Sequence, residues 1–240
     1  MFFTGSSPLP GVLALCHLFI GALLGMLIYQ RSGYRWAVPV AAVAALIPDM
    51  IDKPLGHLLL KSTLDYGRIY AHSLLFLAAT MVVGFLLWRK DRFLAVAVGA
   101  GVLSHLVLDA MWMLPITLFW PALGPFPQHH FPDYLESSLV TELTAPSEWL
   151  FLVGLVLIVF SVYRSGIWSA FARAADVLLP YRKYLAGGML FLAGVYWVTG
   201  VDALSADPLF GQEELILAGA LLVGGAFLWR VDPSTVHPAS

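Results

Sequence analysis

Residues 69–88 read IYAHSLLFLAATMVVGFLLW, twenty positions without a Lys, Arg, Asp or Glu. A helix needs about 20 mostly apolar residues to cross the hydrocarbon core of a bilayer, so this stretch reads as a transmembrane helix. Two further stretches, Met1 to Gln30 and Tyr184 to Val201, are equally free of charge. The whole chain agrees: of 240 residues, 60% are hydrophobic and 12% charged, with a mean hydropathy of +0.82. A soluble domain carries about 25% charged residues. The expected fold is all-α, a polytopic transmembrane helical bundle forming a single membrane domain over residues 1–240.

Seven apolar segments are expected, at roughly 9–30, 35–49, 70–88, 93–113, 147–164, 184–201 and 213–230. The second has an uncharged core of only 13 residues, Trp36 to Pro48. At about 1.5 Å per residue it is short for a span, and it is expected to stop inside the bundle. The stretch 166–183 alternates apolar and basic faces, as a helix lying along the interface does. The start of the chain lacks the positive region of a signal peptide and reads as a retained first helix.

Several classes are excluded at this stage. A net charge of −2 gives no basic footprint for a nucleic-acid partner. A lone cysteine, Cys16, allows neither an intramolecular disulfide nor a thiolate metal cluster. The absence of asparagine excludes N-glycosylation.

Lys and Arg set the orientation. Arg31, Arg35, Arg89, Lys90, Arg92, Arg164, Arg173, Arg182, Lys183 and Arg230 fall on one side, ten of thirteen, against Lys53, Lys61 and Arg68 on the other. The expected topology therefore puts the N-terminus out and the C-terminus in. His17, Asp49, Asp52, Arg68, His72, His105, Asp109 and Glu148 then gather at one level, near the outer face.

Each of these has an ordinary reading: an interhelical hydrogen bond for His17, interfacial carboxylates for Asp49 and Asp52, a snorkelling cation for Arg68, a helix-start acid for Glu148. His105 and Asp109, in GVLSHLVLDAMW, resist it most. A charge at mid-helix costs about 2.5–3.5 kcal/mol even on the lenient insertion scale. Residues four apart share a helix face, so HxxxD can present an imidazole nitrogen and a carboxylate oxygen to a divalent metal. Imidazole and carboxylate without thiolate suit Zn, Mn, Fe or Ni. The candidate ligands are His17, Asp49, Asp52, His72, His105 and Asp109, for one or two ions. Glu148 is the candidate general base or bridging ligand, and Arg68 the candidate phosphate clamp. His129 and His130 read first as loop residues, with substrate gating as the alternative.

These motifs resemble those of the membrane-bound, metal-dependent hydrolases of the bacterial inner membrane, also described as LexA-binding, inner-membrane-associated hydrolases. The resemblance rests on His17 in CHLFIGALLG, IPDMID, GRIYAHSLLF, LSHLVLDAMW, FWPALGPF and Glu148 in SEWLFL, over about residues 10 to 160. The C-terminal helices at 166–230 add nothing to it. There are departures: Asp52 falls one place later than the family's second aspartate, Gly67 stands for a histidine and Ala71 for a threonine. A more distant resemblance is to zinc-dependent phospholipases C. The resemblance implies a metal-dependent hydrolase of the inner membrane, with Zn as the first choice of metal. The location of the site suggests an amphipathic substrate, a phosphoester in a membrane lipid. The rival readings are a transporter for metal ions or protons, and a non-catalytic scaffold stapled by metal.

Overall fold

The computed structural model describes residues 13–87, 92–129, 131, 134–163 and 179–230, and among these all regular structure is helical. Arg89, Lys90, Arg164, Arg173, His130 and most of the interfacial stretch 166–183 lie outside the described residues. The helices are α1 (Ala14–Ser32), α2 (Ala37–Ala44), α3 (Ile47–Pro54), α4 (Leu74–Leu87), α5 (Arg92–Leu108), α6 (Pro115–Leu118), α7 (Tyr134–Thr144), α8 (Pro146–Tyr163), α9 (Arg182–Ala203) and α10 (Pro208–Arg230).

Among the described residues, three helices are long and apolar enough to cross a membrane: Ala14–Ser32, Leu179–Ala203 and Pro208–Arg230. A fourth span results if the pair Glu136–Thr144 and Pro146–Val159, bent by 68°, counts as one. The sequence predicted more. As described, α4 covers 14 residues and α5 covers 17, about 21 and 25 Å of helix against a core of about 30 Å, and residues 88–91 between them lie outside the described ones. α7 lies where a loop was expected. Its sequence, YLESSLVTELT, mixes polar and apolar residues too evenly to announce a helix.

The short second segment is broken as its composition suggested. α2 ends at Ala44, and Pro48 cannot supply the backbone N–H that would carry the helix on. A new helix, α3, starts at Ile47 and continues past Pro54 as a π-turn over Leu55–Leu59. α2 reads AVPVAAVA and is gripped from two sides by glycines. A Cβ at Gly25 of α1 would stand 2.4 Å from the Ala37 carbonyl oxygen, and one at Gly101 of α5 would stand 2.5 Å from that of Ala41. Small residues let membrane helices approach backbone to backbone. Here they set the depth at which α2 hands over to α3, and hence the position of Asp49.

α1 also forms the axis of the larger core. Phe19 is fully buried against Phe151 of α8, with ring centroids 5.3 Å apart. Met189 of α9 and Leu221 of α10 close the same cluster. The outward faces stay apolar: Val82 and Leu86 of α4, Phe191 and Trp197 of α9 and Trp229 of α10 are all exposed. Such faces need lipid rather than water.

Candidate metal centre

Three segments deliver four polar residues to one buried place. Asp49 stands in the first turn of α3. His72 closes the connection 60–73, and the next residue, Ser73, caps α4 by accepting the Phe76 N–H at 3.2 Å. His105 sits in the last turn of α5, and Asp109 follows one residue beyond the helix, its N–H still bonded to the His105 carbonyl at 2.9 Å. One ligand atom from each of these four lies within 4.8 Å of all the others.

Hydrogen bonds behind the two rings decide what their inner nitrogens are. His72 Nδ1 lies 2.7 Å from Asp52 Oδ2, and His105 Nδ1 lies 2.7 Å from the Ala45 carbonyl oxygen. A carboxylate and a carbonyl only accept, so each Nδ1 carries a proton, and where a ring is neutral its lone pair is on Nε2. Those two Nε2 atoms face one another at 3.0 Å. Around them, His72 Nε2 is 3.6 Å from Asp49 Oδ1 and 3.4 Å from Asp109 Oδ2. His105 Nε2 is 3.8 Å from Asp49 Oδ1 and 3.6 Å from Asp109 Oδ2. Asp49 Oδ1 is buried with no hydrogen-bond donor.

With both rings neutral, four acceptor atoms converge there and repel one another, and a cation relieves this. Four ligands at about 2.0–2.1 Å in a tetrahedron stand roughly 3.3 Å apart. The spacings that involve a histidine nitrogen, from 3.0 to 3.8 Å, bracket that value. The donor set fits a divalent ion of the Zn, Mn or Fe kind. The group can hold a metal ion; its geometry does not choose the element.

The other expected ligands occupy neighbouring roles. Asp52 is fully buried behind His72, and its two oxygens accept from the backbone N–H groups of Ile69, Ala71 and His72 as well as from the ring. That is the carboxylate–histidine support typical of metal sites. His17 stacks on His105, centroids 4.1 Å apart, and its Nε2 lies 3.2 Å from Asp109 Oδ1. It thus meets the other oxygen of Asp109 from the one that the His72 and His105 rings approach. Glu148 Oε2 accepts the Leu15 N–H at 2.7 Å, so it caps α1 two residues before His17, while Oε1 is buried with no hydrogen-bond donor.

Two cations flank the group. Lys53 Nζ is 2.6 Å from Asp49 Oδ2. Arg68 Nε is 3.1 Å from Asp109 Oδ2, and its Nη2 is 2.7 Å from Glu213 Oε1. Sequence reasoning missed Glu213, which comes from α10 and is 1% exposed. An acid near a helix start, as in GQEEL, looks like one that the helix dipole favours, and only the depth of its partner Arg68 hinted otherwise. It also missed Lys53 as the partner of Asp49, although the two are four apart on α3.

A second buried pairing lies farther along the same connection. His57 Nδ1 is 2.9 Å from Asp65 Oδ1, and Asp65 Oδ2 accepts the Phe131 N–H at 2.7 Å. Tyr134 stacks on His57 with centroids 3.6 Å apart. Burial outweighs the Asp65 carboxylate and holds the His57 pKa below its ordinary value. For Asp65, burial pushes upward, but the Phe131 N–H and His57 together bring its pKa below the usual range. His129 stacks on Tyr66 and its N–H bonds the Leu64 carbonyl, as a packed loop residue does.

No curated protein and no solved structure matches the chain. A family model described as YdjM inner membrane protein matches residues 13–206. That match runs past the motif region, through α9, and stops short of α10, so the additional helices expected to add nothing are partly inside it. With the match covering well over half of 240 residues, and with helices able to span a bilayer, the chain belongs to the YdjM inner membrane protein family and is an integral protein of the inner membrane.

Proposed function

We propose that the chain is a metal-dependent hydrolase whose site lies toward the outer face of the membrane and cleaves a phosphoester in a lipid-like substrate. One observation carries the reading: the Nε2 atoms of two imidazoles, each ring anchored by a hydrogen bond at Nδ1, face one another at 3.0 Å in one group with two buried carboxylates. Asp49, His72, His105 and Asp109 hold one divalent ion, Zn by preference and Mn or Fe as alternatives. Such an ion, when bound, supplies Lewis-acid polarisation and a water activated at neutral pH.

The chain's own groups do the rest. Asp52 and the Ala45 carbonyl accept from the two Nδ1–H groups and so aim both Nε2 atoms inward. His17 holds the outer oxygen of Asp109. Arg68 has five N–H donors; those beyond the bonds to Asp109 and Glu213 face an anionic phosphoryl group. Glu148 Oε1, buried with no donor, is the atom that accepts a proton during the reaction. The excess of Lys and Arg on the other side supports an outward-facing site, with the N-terminus out.

Metal analysis of purified protein, with a hydrolysis assay on phospholipid vesicles and on bis(p-nitrophenyl) phosphate, tests the proposal. About one equivalent of metal and metal-dependent release of product are expected, both lost in His105→Ala. Metal without hydrolysis would leave the scaffold reading, and metal flux into liposomes the transporter reading. Protein that takes up no metal ends the hydrolase, scaffold and metal-transport readings and leaves proton transport.

A further inference from the structure

The last helix reaches the metal group from beyond the segment that the family model matches. Its position is set by a close contact: a Cβ at Gly211 would stand 2.7 Å from the Leu204 nitrogen and 2.9 Å from the Gly200 carbonyl oxygen. The α9–α10 hairpin therefore closes backbone against backbone, which fixes the depth of the residues that follow. Gln212 Oε1 accepts the Trp112 Nε1–H at 2.7 Å, tying α10 to the turn just after Asp109. Glu213 comes next, buried, with Oε1 on Arg68 and Oε2 without a hydrogen-bond donor.

The Arg68 guanidinium sits on Asp109 Oδ2, the same oxygen that faces both imidazole Nε2 atoms. An ion held there must share that oxygen with a fixed positive charge, and unopposed like charges at such range in a low-dielectric site repel strongly. Glu213 bonds another nitrogen of the same guanidinium, Nη2, at 2.7 Å. We infer that Glu213 is a positioning residue of the metal centre: it balances Arg68, so that Asp109 Oδ2 serves both the guanidinium and a divalent ion. It acts through Arg68 and touches no ligand directly. The inference rests on the metal reading above and adds to it a carboxylate that the motif region does not contain.

Titrating metal-free, full-length protein in detergent with Zn²⁺ against a competing chelator tests it. Glu213→Gln keeps the shape and removes the charge, and its Zn²⁺ affinity is expected to fall about 10- to 100-fold, the usual range for supporting residues. Glu213→Asp keeps the charge and is expected to recover most of the loss. In Arg68→Met protein there is no charge to balance, so adding Glu213→Gln there is expected to change affinity less than about twofold. A residue that merely packs α10 against its neighbours would show the opposite: an equal loss with and without Arg68. That outcome, or wild-type affinity in Glu213→Gln, overturns the inference while leaving the metal site in place. If Glu213→Gln alone does not fold, the double variant still decides, because folding and binding recover there only if the uncompensated guanidinium was the fault. A wild-type protein that binds no Zn²⁺ overturns the metal reading and this inference together.

Discussion

The stretch from Asp49 to Ser73 builds two buried histidine–carboxylate clusters, and they differ in what the second ring nitrogen meets. His72 and His57 are anchored alike, each by Nδ1 on an aspartate, at 2.7 Å from Asp52 and 2.9 Å from Asp65. His72 Nε2 then faces a second imidazole and two carboxylates. His57 Nε2 instead faces the backbone of Gly67, where a Cβ would stand 2.7 Å away, and its ring is covered by Tyr134. An anchored histidine is therefore common to both, while a metal site needs several acceptors converging with no protons left between them. The first cluster can hold a cation, and the second ties a loop in place.

The sharpest way to break this contrast is Asp109→Asn. It removes one ligand and leaves both Arg68 and His17 facing an amide. Loss of bound metal is expected, with destabilisation of about 3–5 kcal/mol, the usual result of breaking a buried pair. Metal analysis and thermal unfolding of the same sample check both. Next in size, Asp52→Asn keeps every proposed ligand but lets the His72 ring turn. Metal affinity is expected to drop about 10- to 100-fold without vanishing, and a chelator competition reads it.

Changes in the second cluster should be smaller and should spare the metal. Asp65→Ala strands the His57 ring nitrogen and the Phe131 N–H, at a cost of about 1–3 kcal/mol, with metal content unchanged. Metal lost together with stability in that variant would erase the distinction between the clusters. The smallest effect is a pH dependence. His57 has a depressed pKa, so it contributes stability above its unfolded value of about 6.5 and loses it as pH falls toward the folded value. Asp65, also depressed, contributes stability above about 3.8 and loses it only in stronger acid. Hydrogen-exchange protection of residues 60–73, corrected for the intrinsic pH dependence of exchange, is expected to fall first just below neutrality, and protection unchanged down to pH 5 would argue against a buried neutral His57.

What the sequence allowed to be read follows the same physics. The i, i+4 spacing of His105 and Asp109 needs only a helix, and a membrane setting makes two such polar groups conspicuous. Charge asymmetry then put His17, Asp49, His72 and Glu148 at one level, and the structure brings the first three into one group with His105 and Asp109. The short second segment was legible because Pro48 and its 13 uncharged residues leave little choice. Asp52 was named as a ligand candidate, but its place behind His72 depends on the N–H groups of Ile69, Ala71 and His72 turning back on it, and no local pattern encodes that return. Glu213 was hidden for a related reason. Its partner is 145 residues away, and at the start of a helix an acidic residue carries no mark of burial. Lys53 was counted only for topology, although its spacing from Asp49 was open to view.

Element-specific anomalous scattering from crystals grown with Zn²⁺ or Mn²⁺ goes straight to the metal group. One peak is expected, lying between His72 Nε2 and His105 Nε2 and within roughly 2.0–2.2 Å of both and of a carboxylate oxygen from each of Asp49 and Asp109. Empty density there, or a peak at His57 and Asp65 instead, would show that the converging acceptors are held together by protons and by Lys53 and Arg68 rather than by a metal.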